Sequence, residues 1–150
     1  MRTLRNIDHR AMLAKRIEAI KGDEKPIWGK MNVEQMLSHL VQTGSMPFEK
    51  QADDRSNWFA RTMVKPLMLY VLPMPKEIPI GPDVDQQKDG RKPLGVETDK
   101  QLILESIERL GTLDKNEKCL DHPFFGRMSA SDWCLIGHKH IDHHLRQFGL

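Results

Sequence analysis

His140 and His144 lie one helical turn apart in the middle of an apolar stripe, so any fold of this chain has to bring both imidazoles indoors. The stretch that carries them, Ser129 to Leu150, reads as a single helix. Ser129 with Asp132 three residues on forms a capping-box pattern, and Gly149 stands where a helix stops. At about 100° per residue, Trp133, Gly137, His140, Ile141, His144 and Phe148 share one face, with Gln147 at its edge. Lys139, Asp142 and Arg146 fall opposite, which predicts a solvated Asp142. A buried imidazole must find a hydrogen-bond partner or bind something. Two of them at i, i+4 match the spacing by which one helix gives a single metal ion two ligands. The competing reading is a pair of core histidines bonded to carbonyls or carboxylates.

The remaining periodicity is helical as well. Residues 4–21 place Leu13, Ile17 and Ile20 on one face, with Asp8 as a start and Gly22 as an end. Trp28 can anchor the connector that follows. Asn32 with Gln35 forms a second capping-box pattern before Val33, Met36, Leu37, Leu40 and Val41, and this helix ends near Gly44 to Pro47. His39 falls off that stripe, on the helix flank, facing either a cleft at the rim of a bundle or water. Trp58 to Leu72 is apolar but interrupted by Pro66, which predicts a kinked helix or two short pieces. Residues 73–97 hold five of the nine prolines, so a lid, an ordered wrap or a flexible segment is expected there rather than regular structure. Thr98 with Gln101 caps a further helix, with Leu102, Ile103, Ile107 and Leu110 inward and Gly111 at its close. In residues 121–128, Pro123 and Gly126 fix a turn, and Phe124 and Phe125 plug the end of the fold. His122 is extended before its proline and either looks into the cleft of His140 and His144 or bonds a nearby backbone. No strand-like alternation intervenes. The expected fold is all-α, a single domain over 1–150, in the form of an antiparallel four-helix bundle with long connecting loops.

Composition narrows the function. The net charge is +2 with both signs spread along the chain, and no basic stripe interleaved with aromatics points to nucleic acid. Cys119 and Cys134 are far apart with no CxxC, which fits a reducing, cytoplasmic setting. No signal-like or membrane-spanning run is present in the sequence, so no membrane partner is expected.

Three stretches carry a family resemblance: W-G-K-M-N-V-E-Q-M-L-S-H-L around His39, H-P-F-F-G-R-M-S-A-S-D-W from His122, and H-I-D-H-H-L-R-Q-F-G from His140. Together they resemble the DinB/YfiT-like superfamily, and more narrowly a domain-of-unknown-function branch of it. The resemblance covers nearly the whole chain. It implies a four-helix bundle, often dimeric, that holds one divalent metal on three histidines. One comes from the second helix and two from an H-x-x-x-H pattern on the last helix. At the matching positions these are His39, His140 and His144. The resemblance thus turns His39 from a helix-flank residue into a third ligand. One departure is Gly137, where relatives often carry an aromatic residue or histidine.

Three neutral imidazoles leave coordination positions open, as in catalytic rather than structural sites. Zinc suits that set best, with nickel, iron or manganese acceptable. Such an ion would acidify a bound water or bind a thiolate, which gives a metal-dependent hydrolase or a thiol-dependent S-transferase on a small molecule. His122 and His143 are the candidates for proton shuttles, although His143 also reads as a surface histidine. A small-molecule substrate or a low-molecular-weight thiol is the expected partner. The alternatives are a non-catalytic metal- or small-ligand-binding bundle, and a purely structural one. The absence of a Glu-x-x-His pair argues against a dinuclear carboxylate site.

Overall fold

In the computed structural model, which describes residues 1–76 and 80–150, every regular element is helical. The α-helices are α1 (Ile7–Glu18), α2 (Val33–Ser45), α3 (Val96–Thr112) and α4 (Ala130–Gln147). Between α2 and α3 lie two π-helical turns, Ala60–Val64 and Leu67–Val71, and a short 3-10 turn, Pro82–Val84. Among the described residues no strand forms. An isolated bridge, His122 to Gly126, closes the turn before α4.

Local chemistry sets the helix starts. Asn32 with Gln35 and Ser129 with Asp132 make complete capping boxes, each side chain bonding the other residue's backbone N–H. Each cap contributes about 1 kcal/mol. For α1 the cap is Asn6, whose Oδ1 accepts from the amides of Asp8 and His9, so Asp8 lies in the first turn rather than starting the helix. Helix α1 also stops at Glu18, before Gly22. Helix α3 departs further from expectation. It begins at Val96, after Gly95 (φ +106°), and Thr98 lies inside its first turn. Gly111 does not close it either. That residue is buried where an added Cβ would meet the Leu4 carbonyl at 2.5 Å, and the helix runs on to Thr112. The close approach of the N-terminal segment explains the glycine.

Helix α1 packs on α3 and α4, and α2 packs on the same two helices. Among the described residues α1 and α2 share no packed face, so they stand across from each other with α3 and α4 between. Ile17, Met36, Leu37, Leu69 and Leu145 are wholly enclosed in one core. Each such side chain contributes about 1.5–3 kcal/mol on burial. The Leu4 amide donates to the Cys134 carbonyl (3.1 Å), and Cys134 Sγ donates to the Leu110 carbonyl (3.2 Å), which ties the N-terminal segment, α3 and α4 together.

The apolar run around Pro66 is one helical stretch with a π-helical turn on either side of the proline. Pro66 has no amide to donate, and the wider turns re-route the neighbouring bonds, as in Leu72 N–H to the Leu67 carbonyl (2.8 Å). Lys139 of α4 donates to the Met68 and Leu72 carbonyls (2.8 and 2.9 Å), closing the end of that stretch.

Residues 80–95 form an ordered wrap against α2; of the stretch 73–97, only 77–79 lie outside the described residues. Gln42 donates to the Asp83 carbonyl (2.8 Å) and accepts from Gln86 Nε2 (3.2 Å) and the Arg91 amide (3.1 Å). Ser38 donates to the Arg91 carbonyl (2.7 Å), and Arg91 pairs with Asp99 of α3 (2.8 Å). Phe125 is buried as a plug, whereas Phe124 is 43% exposed and packs edge-on against it (5.4 Å between centroids). Among the described residues no helix is long and apolar enough to cross a membrane.

Candidate metal centre

Three helix positions converge. His39 comes from the middle of α2, and His140 and His144 come from successive turns of α4. Nε2 of His140 is 3.2 Å from Nε2 of His39 and 3.0 Å from Nε2 of His144. One nitrogen from each ring lies within 4.8 Å of the other two, close enough for the triad to hold a metal ion. A tetrahedral zinc with bonds of about 2.0–2.1 Å sets its ligand nitrogens roughly 3.3 Å apart, so the donor set fits such an ion. His39 and His144 are buried and His140 nearly so, and of the two settings open to His39 on the helix flank it takes the cleft rather than water. The wrap over α2, through Val84, is what encloses it.

The other ring nitrogens are all occupied. His39 Nδ1 lies 3.3 Å from the Val84 carbonyl, a pure acceptor, so it carries the proton. Thr43 donates its hydroxyl to the His39 carbonyl (2.8 Å), which leaves Oγ1 to accept from His140 Nδ1 (3.3 Å). Gln147 donates its amide nitrogen to the Trp28 carbonyl (2.7 Å), and this turns Oε1 toward His144 Nδ1 (2.8 Å). Each ring is therefore the Nδ1–H tautomer, and three Nε2 lone pairs face one another. Lone pairs at such separations repel unless a cation or a proton sits between them. Protonation is opposed. Burial pushes the His39 pKa down to about 4 and that of His144 to about 3. Burial, joined by the two neighbouring imidazoles, holds His140 well below the ordinary range. Neutral imidazoles with anchored second nitrogens are the state that metal binding requires.

A cavity of about 530 Å³ opens beside His39 and His140. His122 lines it too, so both readings of that residue hold at once. Its Nδ1 accepts from the Phe124 and Phe125 amides (3.1 and 3.2 Å), and its ring stacks on Phe125 (4.6 Å between centroids). Burial, then Lys65, lowers its pKa to about 4. With Nδ1 accepting, the proton resides on Nε2 of a neutral ring that lines the cavity. His143 is buried rather than a surface histidine. It packs edge-on against Trp28 (5.8 Å) and His144 (5.0 Å), and it is not part of the cavity wall. Asp142 is likewise not simply solvated; it bridges Arg16 (2.6 Å) and Arg146 (2.9 Å). Thr43 was not singled out by the sequence, although it lies one turn after His39 on the same face of α2. His138 was also passed over. It is buried edge-on to His9 (5.7 Å), away from the triad's shared nitrogens.

The sequence matches the model of a family described as a protein of unknown function, DUF1569, over residues 2–149. No curated protein and no solved structure matches it. With all but its first and last residues inside that match, the chain belongs to the DUF1569 family of proteins of unknown function.

Proposed function

We propose that this chain is a metal-dependent enzyme acting on a small molecule, with one divalent ion held by His39, His140 and His144. The observation that carries the reading is the convergence of three Nε2 atoms whose partner nitrogens are each anchored by a separate acceptor. Three neutral protein ligands leave room for a fourth group, and zinc suits such a set best, ahead of nickel, iron or manganese. When bound, the ion supplies Lewis acidity to an oxygen or sulfur group of the substrate. The chain's own contribution is to orient that group. His39 and His140 border the cavity, its walls are largely apolar, and the neutral His122 ring, protonated at Nε2, supplies a donor to it. Thiol-dependent S-transfer and hydrolysis are the two reaction classes this arrangement supports. The helix packing suits an antiparallel bundle of DinB type, with the homodimer common in such bundles, and the two free cysteines suit the cytoplasm.

A second reading has its own support. Among the described residues the cavity wall contains no carboxylate, and His122, with Nδ1 occupied, is not a free base. That combination favours a metal- or ligand-binding protein without turnover.

Metal content per chain, measured on untagged wild type and on His144→Ala, tests the centre. About one divalent ion in wild type that is lost in the variant is the expected result. Wild type that takes up no zinc or nickel after incubation and removal of excess would sink the metal reading. Turnover of an electrophile with added thiol then separates enzyme from binding protein.

A further inference from the structure

We infer that the molecule this centre receives is small and largely apolar, with a single donor group for the metal, rather than a polar thiol borne on a peptide or sugar. The inference rests on the three-histidine metal reading and specifies its ligand. It comes from what the cavity walls leave unsatisfied. Leu40, Met68, Ile103, Ile107, Ile141 and Trp133 supply much of the surface of the 530 Å³ space.

The polar wall groups are mostly spent on the protein itself. Ser106 Oγ donates to the Gly44 carbonyl (3.1 Å), Thr43 bonds the His39 carbonyl, and Trp133 Nε1 donates to the Leu120 carbonyl (3.1 Å). Among the described residues Arg55 is the charged side chain of the wall, and it pairs with Asp83 (2.8 Å). Among the described residues, what remains to a ligand is the metal position, the His122 ring and, at the exposed edge, the part of the Arg55 guanidinium that Asp83 does not take. A glutathione-like molecule would carry two carboxylates, an ammonium and several amides into this space, more polar groups than Arg55 and His122 can rehydrate by hydrogen bonding. An alkyl or aryl body loses nothing and gains the burial.

The test uses cobalt(II)-loaded full-length protein titrated with 1-propanethiol, 1-butanethiol, 1-pentanethiol and glutathione, read by the thiolate-to-cobalt charge-transfer band. All four offer the same donor atom, so differences report the body. Affinity is expected to rise about fourfold per added methylene. Glutathione is expected to bind at least a hundredfold more weakly than 1-pentanethiol. Affinity independent of chain length, or glutathione equal to 1-pentanethiol, overturns the inference. Ala52→Trp places a large ring in the wall from the half-buried loop after α2. It should keep the cobalt spectrum and flatten the chain-length trend; an unchanged trend puts the alkyl body elsewhere and overturns the inference. Failure of the metal reading looks different, since no cobalt is then retained and no thiol gives a band. Equilibrium dialysis of 1-octanol against metal-free protein decides the cavity in that case, and lack of saturable binding overturns the inference.

Discussion

Gln147 Oε1 lies 2.8 Å from His144 Nδ1, three residues back on the same helix, while Gln147 Nε2 reaches the Trp28 carbonyl at 2.7 Å. The second bond decides the first. An amide can present either end to an imidazole, and the fixed carbonyl of Trp28 takes the nitrogen. The oxygen therefore faces His144, and Nε2 of His144 is left bare for a metal. The connector between α1 and α2 thus sets the tautomer of a ligand on α4.

Gln147→Leu keeps the helix and much of the volume but removes that acceptor. Metal affinity should fall about 10–100-fold, the usual cost of losing an outer partner of a ligating histidine. Competition titration with a chromophoric chelator reads the change. An affinity within a factor of two of wild type would show that the contact does not orient His144.

The wrap over His39 depends on Asp99, which is 1% exposed on α3. Its carboxylate accepts from Arg91 (2.8 Å) and from the Leu94 amide (3.1 Å). Asp99→Ala leaves a partly buried guanidinium and an amide without their acceptor, a loss of about 3 kcal/mol. The wrap should loosen before the helices do. Limited trypsin digestion is expected to cut after Lys88 or Arg91 in the variant at protease levels that leave wild type intact.

Acid should destabilise the metal-free protein, and His122 gives the sign. Burial, with Lys65 second, depresses its folded pKa to about 4, against about 6.5 for a free histidine. Below pH 6.5 the unfolded chain binds a proton that the folded chain refuses. Stability from this group is full above 6.5 and is lost as pH falls toward 4, at up to about 1.4 kcal/mol per pH unit. Urea midpoints between pH 7 and pH 4.5 should fall, and His122→Asn should make that fall shallower. An identical slope in the variant would mean that His122 does not titrate across folding.

What was legible in the sequence was local. The capping boxes at Asn32 and Ser129, and the stripe that holds His140 and His144, follow from spacings within one helix. Spacing failed wherever a distant segment intervened. Periodicity left His39 between a cleft and water, and residues 80–95, folding over α2, decide for the cleft; only the family resemblance picked it out as a ligand. His143 read as a surface residue because nothing local announces that the Trp28 connector packs on it. The capping pattern at Thr98 was genuine in form but misleading, since Gly95 already begins α3 and the pattern falls inside its first turn. Thr43 could have been found, being i+4 from His39, but its partner lies 97 residues away on α4.

That hydroxyl supports the last prediction. Thr43 Oγ1 gives its hydrogen to the His39 carbonyl and accepts from His140 Nδ1, so one side chain touches two of the three histidines of the triad. Thr43→Val preserves the shape but leaves the His140 Nδ1–H facing a methyl group. The proton then gains by moving to Nε2, where it blocks the metal position. Metal affinity should drop about 10–100-fold. Helix α2 should lose little, because valine is close to threonine in helix propensity. Thr43→Ser restores the oxygen and should return affinity to within a few fold of wild type. A rescue of that kind separates hydrogen bonding from packing, since serine lacks the methyl that valine keeps. If valine binds metal as well as wild type, His140 holds its tautomer without help. If serine fails as badly as valine, the hydroxyl alone does not position the ring and the methyl is needed with it.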